Sequence, residues 1–133
     1  MPDAFHFDLV SPDKMVFSGE VEQVDIPGAE GDFGVLAHHA PLIAMLKPGI
    51  LTIFGANETQ RIVVVGGFAE VNDQGLTVLA DTATPVEDFD RASLESQIKD
   101  IEEDVADATD DTQRDTAREK LDQLKALDSA LAR

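Results

Sequence analysis

The stretch that organises this sequence is PGAEGDFGVLAHHAPLIAMLKPG, which runs from Pro27 to Gly49. It holds four glycines, which permit positive φ, and three prolines, which fix φ, so it is a series of forced turns. Short apolar runs at 33–37 and 42–46 separate the turns. We therefore predict an ordered, half-buried segment on a strand-rich domain, where functional residues tend to lie.

Strand-like alternation surrounds this stretch on both sides. Phe5, Phe7 and Leu9 alternate with polar neighbours, and turn sequences at 55–58 and 72–75 predict hairpins. A slip in spacing between Val21 and Val24 predicts a bulge, and Gly66 with Gly67 predicts a strand break. Eight to ten short strands at this spacing are typical of an antiparallel sandwich or barrel.

The character of the sequence changes near residue 86. Beyond Pro85 there is no Gly and no Pro, and residues recur at helical spacing in two stripes: Leu94, Ile98, Ile101, Val105 and Ala108, then Ala117, Leu121, Leu124, either Leu127 or Asp128, and Leu131. Residues 109–112 supply a turn, and Asp88 or Asp90 caps the first helix. We predict a β domain over 1–86 and an antiparallel helical hairpin over 87–133.

Charge and composition exclude several classes of function. The net charge of −17 repels nucleic acid and anionic lipid, so no nucleic-acid partner is expected. The absence of Cys excludes disulfides and thiolate metal sites. The sequence begins without a basic, apolar leader, and no apolar run is long enough to span a membrane.

No motif assembles a catalytic, metal or cofactor site. The glycines at 28, 31 and 34 lack the dinucleotide spacing and a following helix, and there is no P-loop. The acidic run 100–111 lacks the Gly and Glu that an EF-hand loop requires, so it is read as a solvated helix face. Three His, two of them adjacent, do not suggest a metal site. We predict a protein that is not an enzyme on its own.

The sequence resembles the epsilon subunit of F-type ATP synthase, which is homologous to the mitochondrial delta subunit. The resemblance rests on PG-x-EG-x-FGVL-x-x-HAPL-x-x-x-L-x-PG over 27–49, FSG at 17–19, GGF-x-EV at 66–71 and VLADTA at 78–83. It implies an all-β sandwich of about ten antiparallel strands, followed by an antiparallel α-helical hairpin.

The resemblance also implies a function and partners. The protein would be a non-catalytic rotor subunit of the central stalk that couples the gamma subunit to the c-ring, in ATP synthesis driven by a proton gradient. Its hairpin would reach the alpha and beta subunits and regulate ATP hydrolysis. The implied location is peripheral, on the cytoplasmic side of the bacterial inner membrane. The alternative is a free-standing regulatory or ligand-binding β-sandwich with a helical dimerisation arm.

The resemblance assigns two sets of site residues. The loop that faces the c-ring corresponds to Glu30, Gly31, Asp32, His38 and His39. Asp32 would pair with a basic residue of the ring.

A weak nucleotide site corresponds to the D-x-x-R-A motif, with Asp88, Arg91 and Ala92, together with Arg118. Glu87 replaces the apolar residue that usually opens this motif, and nearby Asp residues repel phosphate, so ATP is expected to bind weakly or not at all. No other cofactor is expected.

Overall fold

The computed structural model describes residues 3–38 and 40–132, and the protein divides into two compact units, one ending at Glu87 and one beginning at Asp88. The first unit holds eight strands among these residues: β1 (Phe5–Ser11), β2 (Lys14–Val21), β3 (Gln23–Ile26), β4 (Phe33–Leu36), β5 (Leu42–Met45), β6 (Gly49–Phe54), β7 (Thr59–Asn72) and β8 (Gly75–Pro85). A single 3-10 turn, Val86–Asp88, follows β8. The second unit holds α1 (Arg91–Asp107) and α2 (Asp111–Leu131).

The strands follow one hydrogen-bonded path, β2-β1-β8-β7-β6-β3-β4, and β5 also pairs with β7. The path folds over on itself, since inward side chains from both of its halves, such as Leu9 on β1 and Ile53 on β6, belong to one buried core. Strand alternation explains this core: Phe7 and Leu9 of β1 and Leu76 and Val78 of β8 point inward and are almost fully buried. The result is the predicted β-sandwich.

Strand β7 holds the two halves of the sandwich together. Its first part pairs with β6, as Val64 does with Gly49, and its second part pairs with β5, as Phe68 does with Met45. Gly66 and Gly67, at φ of 71° and 110°, lie between these parts. Positive φ is open to glycine at little cost, so the strand bends here and keeps the same register with β8 before and after Gly66.

Three details of the sequence prediction are wrong. Gly66 and Gly67 do not end a strand, because β7 runs through them from Thr59 to Asn72; the eight strands of the described residues lie within the predicted range of eight to ten. Not all pairs are antiparallel, because the long connection between β1 and β8 brings them together in the same direction. The slip after Val21 is the junction of β2 and β3, and the register shift lies between Leu9 and Val10 instead.

The second unit is the predicted helical hairpin. Asp90 caps α1 by accepting from the Ser93 N–H at 3.2 Å, and Asp110 caps α2 by accepting from the Gln113 N–H at 2.7 Å. The buried side chains of the two helices follow the predicted stripes: Leu94, Ile98 and Ile101 on α1, and Leu121, Leu124 and Leu127 on α2. The hairpin therefore forms from a narrow apolar seam between charged faces.

Candidate interaction surfaces

The described residues contain no group of three or more His, Asp or Glu side chains that could hold a metal ion. They also contain no buried polar or charged side chain. Catalytic groups usually lie in clefts where burial shifts their pKa. The remaining candidates among the described residues are exposed surfaces.

The turn before β4 carries three of the proposed ring-facing residues. Gly31 adopts φ of 142° in open space, and its N–H donates to the Gly28 carbonyl at 3.1 Å. Asp32 Oδ1 lies 3.1 Å from Lys47 Nζ, and 73% of the Asp32 side chain is exposed. Glu30 is exposed on the same turn, which leaves two carboxylates at the surface.

His38 does not join that turn. It lies beyond the far end of β4, at φ of 66°, and its Nε2 lies 3.0 Å from Asp3 Oδ2. It lines a groove with the start of β1 and the β7–β8 turn, whereas Gly31 and Asp32 line a groove along β5. The two predicted parts of the ring-facing loop thus occupy separate grooves, and His39 lies outside the described residues.

A row of apolar side chains crosses the outer face of the sandwich. Strand register places Met45 beside Phe68, Phe68 beside Leu79, Leu79 beside Val10 and Val10 beside Met15. Met45, Met15, Leu79 and Phe68 are 62%, 55%, 40% and 36% exposed. With five strands about 4.8 Å apart, the row is about 19 Å long. We call these five residues the apolar row.

The neighbouring set on the same face, two residues along each strand, is polar on β1, β2, β7 and β8, whereas β5 places Ile43 there. Here Asp8 Oδ1 accepts from Ser18 Oγ at 2.6 Å and lies 2.9 Å from His6 Nε2, while Glu20 Oε2 lies 3.2 Å from His6 Nδ1. The hydrogen bond to Asp8, supported by that to Glu20, raises the pKa of His6. The Ser18 hydroxyl, followed by the contact with His6, lowers the pKa of Asp8.

The residues of the D-x-x-R-A motif are dispersed in the second unit. Arg91 Nη2 lies 3.0 Å from Asp128 Oδ1, so a carboxylate of α2 already occupies this guanidinium. Asp88 ends the 3-10 turn, while Ala92 and Arg118 are exposed on their helices. Among the residues described, the motif therefore provides one Arg that is already paired, and no cluster of side chains that could donate hydrogen bonds to a phosphate.

Sequence reasoning missed the apolar row. Its members come from five strands, and their proximity depends on pairings between distant parts of the sequence. A signal was present, since Phe68 and Leu79 occupy outward positions that polar residues normally fill. Identifying them requires knowing which side chains of each strand point toward solvent.

The fold is an eight-stranded sandwich followed by a helical hairpin, with an exposed apolar row on the sheet. Residues 4–86 match the family model of the β-sandwich domain of the ATP synthase delta/epsilon chain, and residues 90–132 match that of the C-terminal domain of the ATP synthase epsilon chain. The protein therefore belongs to the ATP synthase epsilon chain family. It is a non-catalytic subunit of that complex.

Individual relatives agree with this assignment. The epsilon chain of Afipia carboxidovorans is 54% identical to this protein, and the match covers 92% of this protein and 90% of that chain. The epsilon chain of Nitrobacter winogradskyi is also 54% identical, and the match covers 96% of this protein and 93% of that chain. A solved structure titled as Euglena gracilis mitochondrial ATP synthase, OSCP/F1/c-ring, holds a similar polypeptide: the TM-score is 0.81 at 28% identity, over 98% of this protein and 83% of that one. Neither helix in the described part of the protein is long and apolar enough to cross a bilayer.

Proposed function

We infer that this protein couples the gamma subunit to the c-ring of a bacterial ATP synthase, in proton-driven ATP synthesis. Its place would be peripheral, on the cytoplasmic side of the inner membrane. Family membership supports this reading over that of a free-standing β-sandwich with a dimerisation arm. The observation that carries the proposal is the apolar row, because a contiguous exposed apolar surface marks an interaction site.

The apolar row is the contact proposed for the gamma subunit. It lies on five paired strands, so the backbone that carries its side chains is fixed before any partner arrives. Met45 and Phe68 are direct cross-strand neighbours at one end of the row. Aromatic and Met side chains are enriched at protein interfaces relative to the rest of the surface.

The turn at Glu30, Gly31 and Asp32 is the contact proposed for the c-ring. Asp32 is exposed and Lys47 is half-buried, so this surface ion pair contributes little to stability. A basic ring residue can therefore replace Lys47 at small cost. If Asp32→Ala leaves the coupling of ATP hydrolysis to proton pumping unchanged, this assignment fails.

The helical hairpin is the part proposed to reach the alpha and beta subunits and to regulate hydrolysis. Its buried seam consists of six aliphatic side chains between charged faces, so its own stability is modest. Such an element can occupy two positions of similar free energy. Deletion of residues 88–133 tests this role: unchanged hydrolysis by the assembled complex would oppose it.

The experiment for the central proposal replaces Met45 and Phe68 together by Glu. We expect the affinity for an alpha–beta–gamma subcomplex lacking this subunit to fall by about 30-fold or more, as for the loss of about 2 kcal/mol at an interface hot spot. Leu36→Glu is the matched control, because Leu36 is 51% exposed on β4, outside the row. Binding by the double variant within twofold of the unaltered protein would refute the proposal.

A further inference from the structure

The apolar row is bordered by carboxylates at fixed positions. One step along the same strands, register aligns Ile43, Glu70, Thr77, Asp8 and Ser18 across the sheet. Side chains two residues apart on a strand share a face and lie about 6.7 Å apart. The carboxylate of Glu70 therefore lies beside Phe68, and that of Asp8 lies beside Val10.

Negative charge lies on both sides of the apolar row. Asp81 follows Leu79 on the outward side of β8 and is exposed. Glu20 lies beyond Asp8, on β2. Beside these carboxylates, His6 supplies positive charge only when it is protonated. Any partner that covers the row meets a surface with an excess of negative charge.

The two carboxylates nearest the row differ in their partners. Asp8 is held by Ser18 and His6, and its lowered pKa keeps it ionised at neutral pH. Glu70 is half-buried, lies between Ile43 and Thr77, and forms no ion pair among the described residues. Glu70 is therefore a carboxylate that an incoming cation can engage without displacing an internal partner, as is the exposed Asp81 on the other side of the row.

We propose that the partner covering the apolar row presents an apolar strip bordered by Lys or Arg side chains, with one of them placed against Glu70. This rests on the proposed function, which supplies a gamma-subunit contact at the row. The contact would then be apolar at its centre and basic along its edge on the partner's side. The apolar strip supplies affinity, and the bordering cations set orientation and the rate of association.

Charge complementarity favours this occupant over two others. A second copy of this protein would bring Glu70, Asp8 and Asp81 against an identical acidic border, and each copy carries a net charge of −17. An anionic bilayer surface would be repelled for the same reason. A different protein with an apolar strip and a basic border complements both the apolar row and the carboxylates beside it.

The test measures binding of the full-length protein to an alpha–beta–gamma subcomplex that lacks it, over about a tenfold range of salt concentration. We expect Glu70→Lys to weaken binding about tenfold or more at low salt, and Glu70→Gln about two- to fivefold, with both effects shrinking as salt rises. Glu58→Lys is the charge-matched control, because Glu58 is exposed in the turn between β6 and β7, outside the row and its border. Its affinity should stay within twofold. Far-UV circular dichroism confirms that each variant is folded.

The outcomes separate this inference from the proposed function. If the Met45 and Phe68 double variant loses binding while Glu70→Lys binds normally, the row is the contact and the charged border is not. If neither substitution affects binding, both ideas fail. If sedimentation shows a dimer of this protein that Phe68→Glu dissociates, a second copy covers the row and the inference is overturned.

Discussion

Replacing Gly67 by Ala should strongly destabilise the sandwich. Gly67 adopts φ of 110° in the middle of β7. A Cβ there would overlap the Leu79 carbonyl oxygen and lie 2.8 Å from the Cα of Ala80. Both obstacles are backbone atoms of β8, so no side-chain rotation relieves them.

The size of the effect follows from this geometry. Carbon atoms not bonded to each other normally lie about 3.5–4.0 Å apart, so β7 and β8 must separate by about 0.7–1.2 Å. Overpacking of this kind costs about 1–3 kcal/mol, and a non-glycine residue at a sparsely populated φ costs about 1–3 kcal/mol more. The total of about 4 kcal/mol is a large part of the stability of a typical domain, which is about 5–15 kcal/mol. For a domain of this size it lowers Tm by about 16 °C or more.

Calorimetry is the suitable assay, because the protein has no Trp and no Tyr to report by fluorescence. Gly19→Ala is the control, since a Cβ at Gly19 would meet only the Phe17 ring, at an ordinary 3.7 Å. Its Tm should stay within a few degrees of the unaltered protein. The reasoning is refuted if Gly67→Ala melts within about 4 °C of the unaltered protein. Because Gly67 precedes Phe68, the variant should also weaken binding at the apolar row.

Three further predictions concern the hairpin, the His6 cluster and nucleotide. Leu127 is 2% exposed, so Leu127→Ala should destabilise the helices by about 2–4 kcal/mol, seen as an earlier helical transition in circular dichroism. The raised pKa of His6 means that its stabilising effect is complete below pH 6.5 and is lost as pH rises through the folded-state pKa. The Tm difference between the unaltered protein and His6→Gln should therefore be larger near pH 5.5 than above pH 8, and the reverse order would contradict this. Millimolar ATP should give a nearly flat calorimetric titration, because Asp128 occupies Arg91; strong heat from the unaltered protein would overturn that reasoning.

The predictable part of this fold is local. Helical stripes, Asp caps and turn sequences act over a few residues, so the hairpin and its Asp110 cap follow directly from the sequence. The backbone conformation at Gly66 and Gly67 does not follow from the sequence, because glycine permits both a turn and a bent strand, and neighbouring strands decide between them. The ring-facing loop shows the same limit. Asp32 and His38 are close in sequence, but β4 separates their grooves.

The sequence by itself determined a strand-rich domain, a helical hairpin and the family to which both belong. Tertiary structure alone decided which outward side chains become neighbours. Met45, Phe68, Leu79, Val10 and Met15 form one row only because four strand pairings hold a particular register. A slip of one residue in any pairing would turn one strand's contribution to the opposite face. Register is fixed by burial of the whole core, so a surface built across strands cannot be read from any single segment.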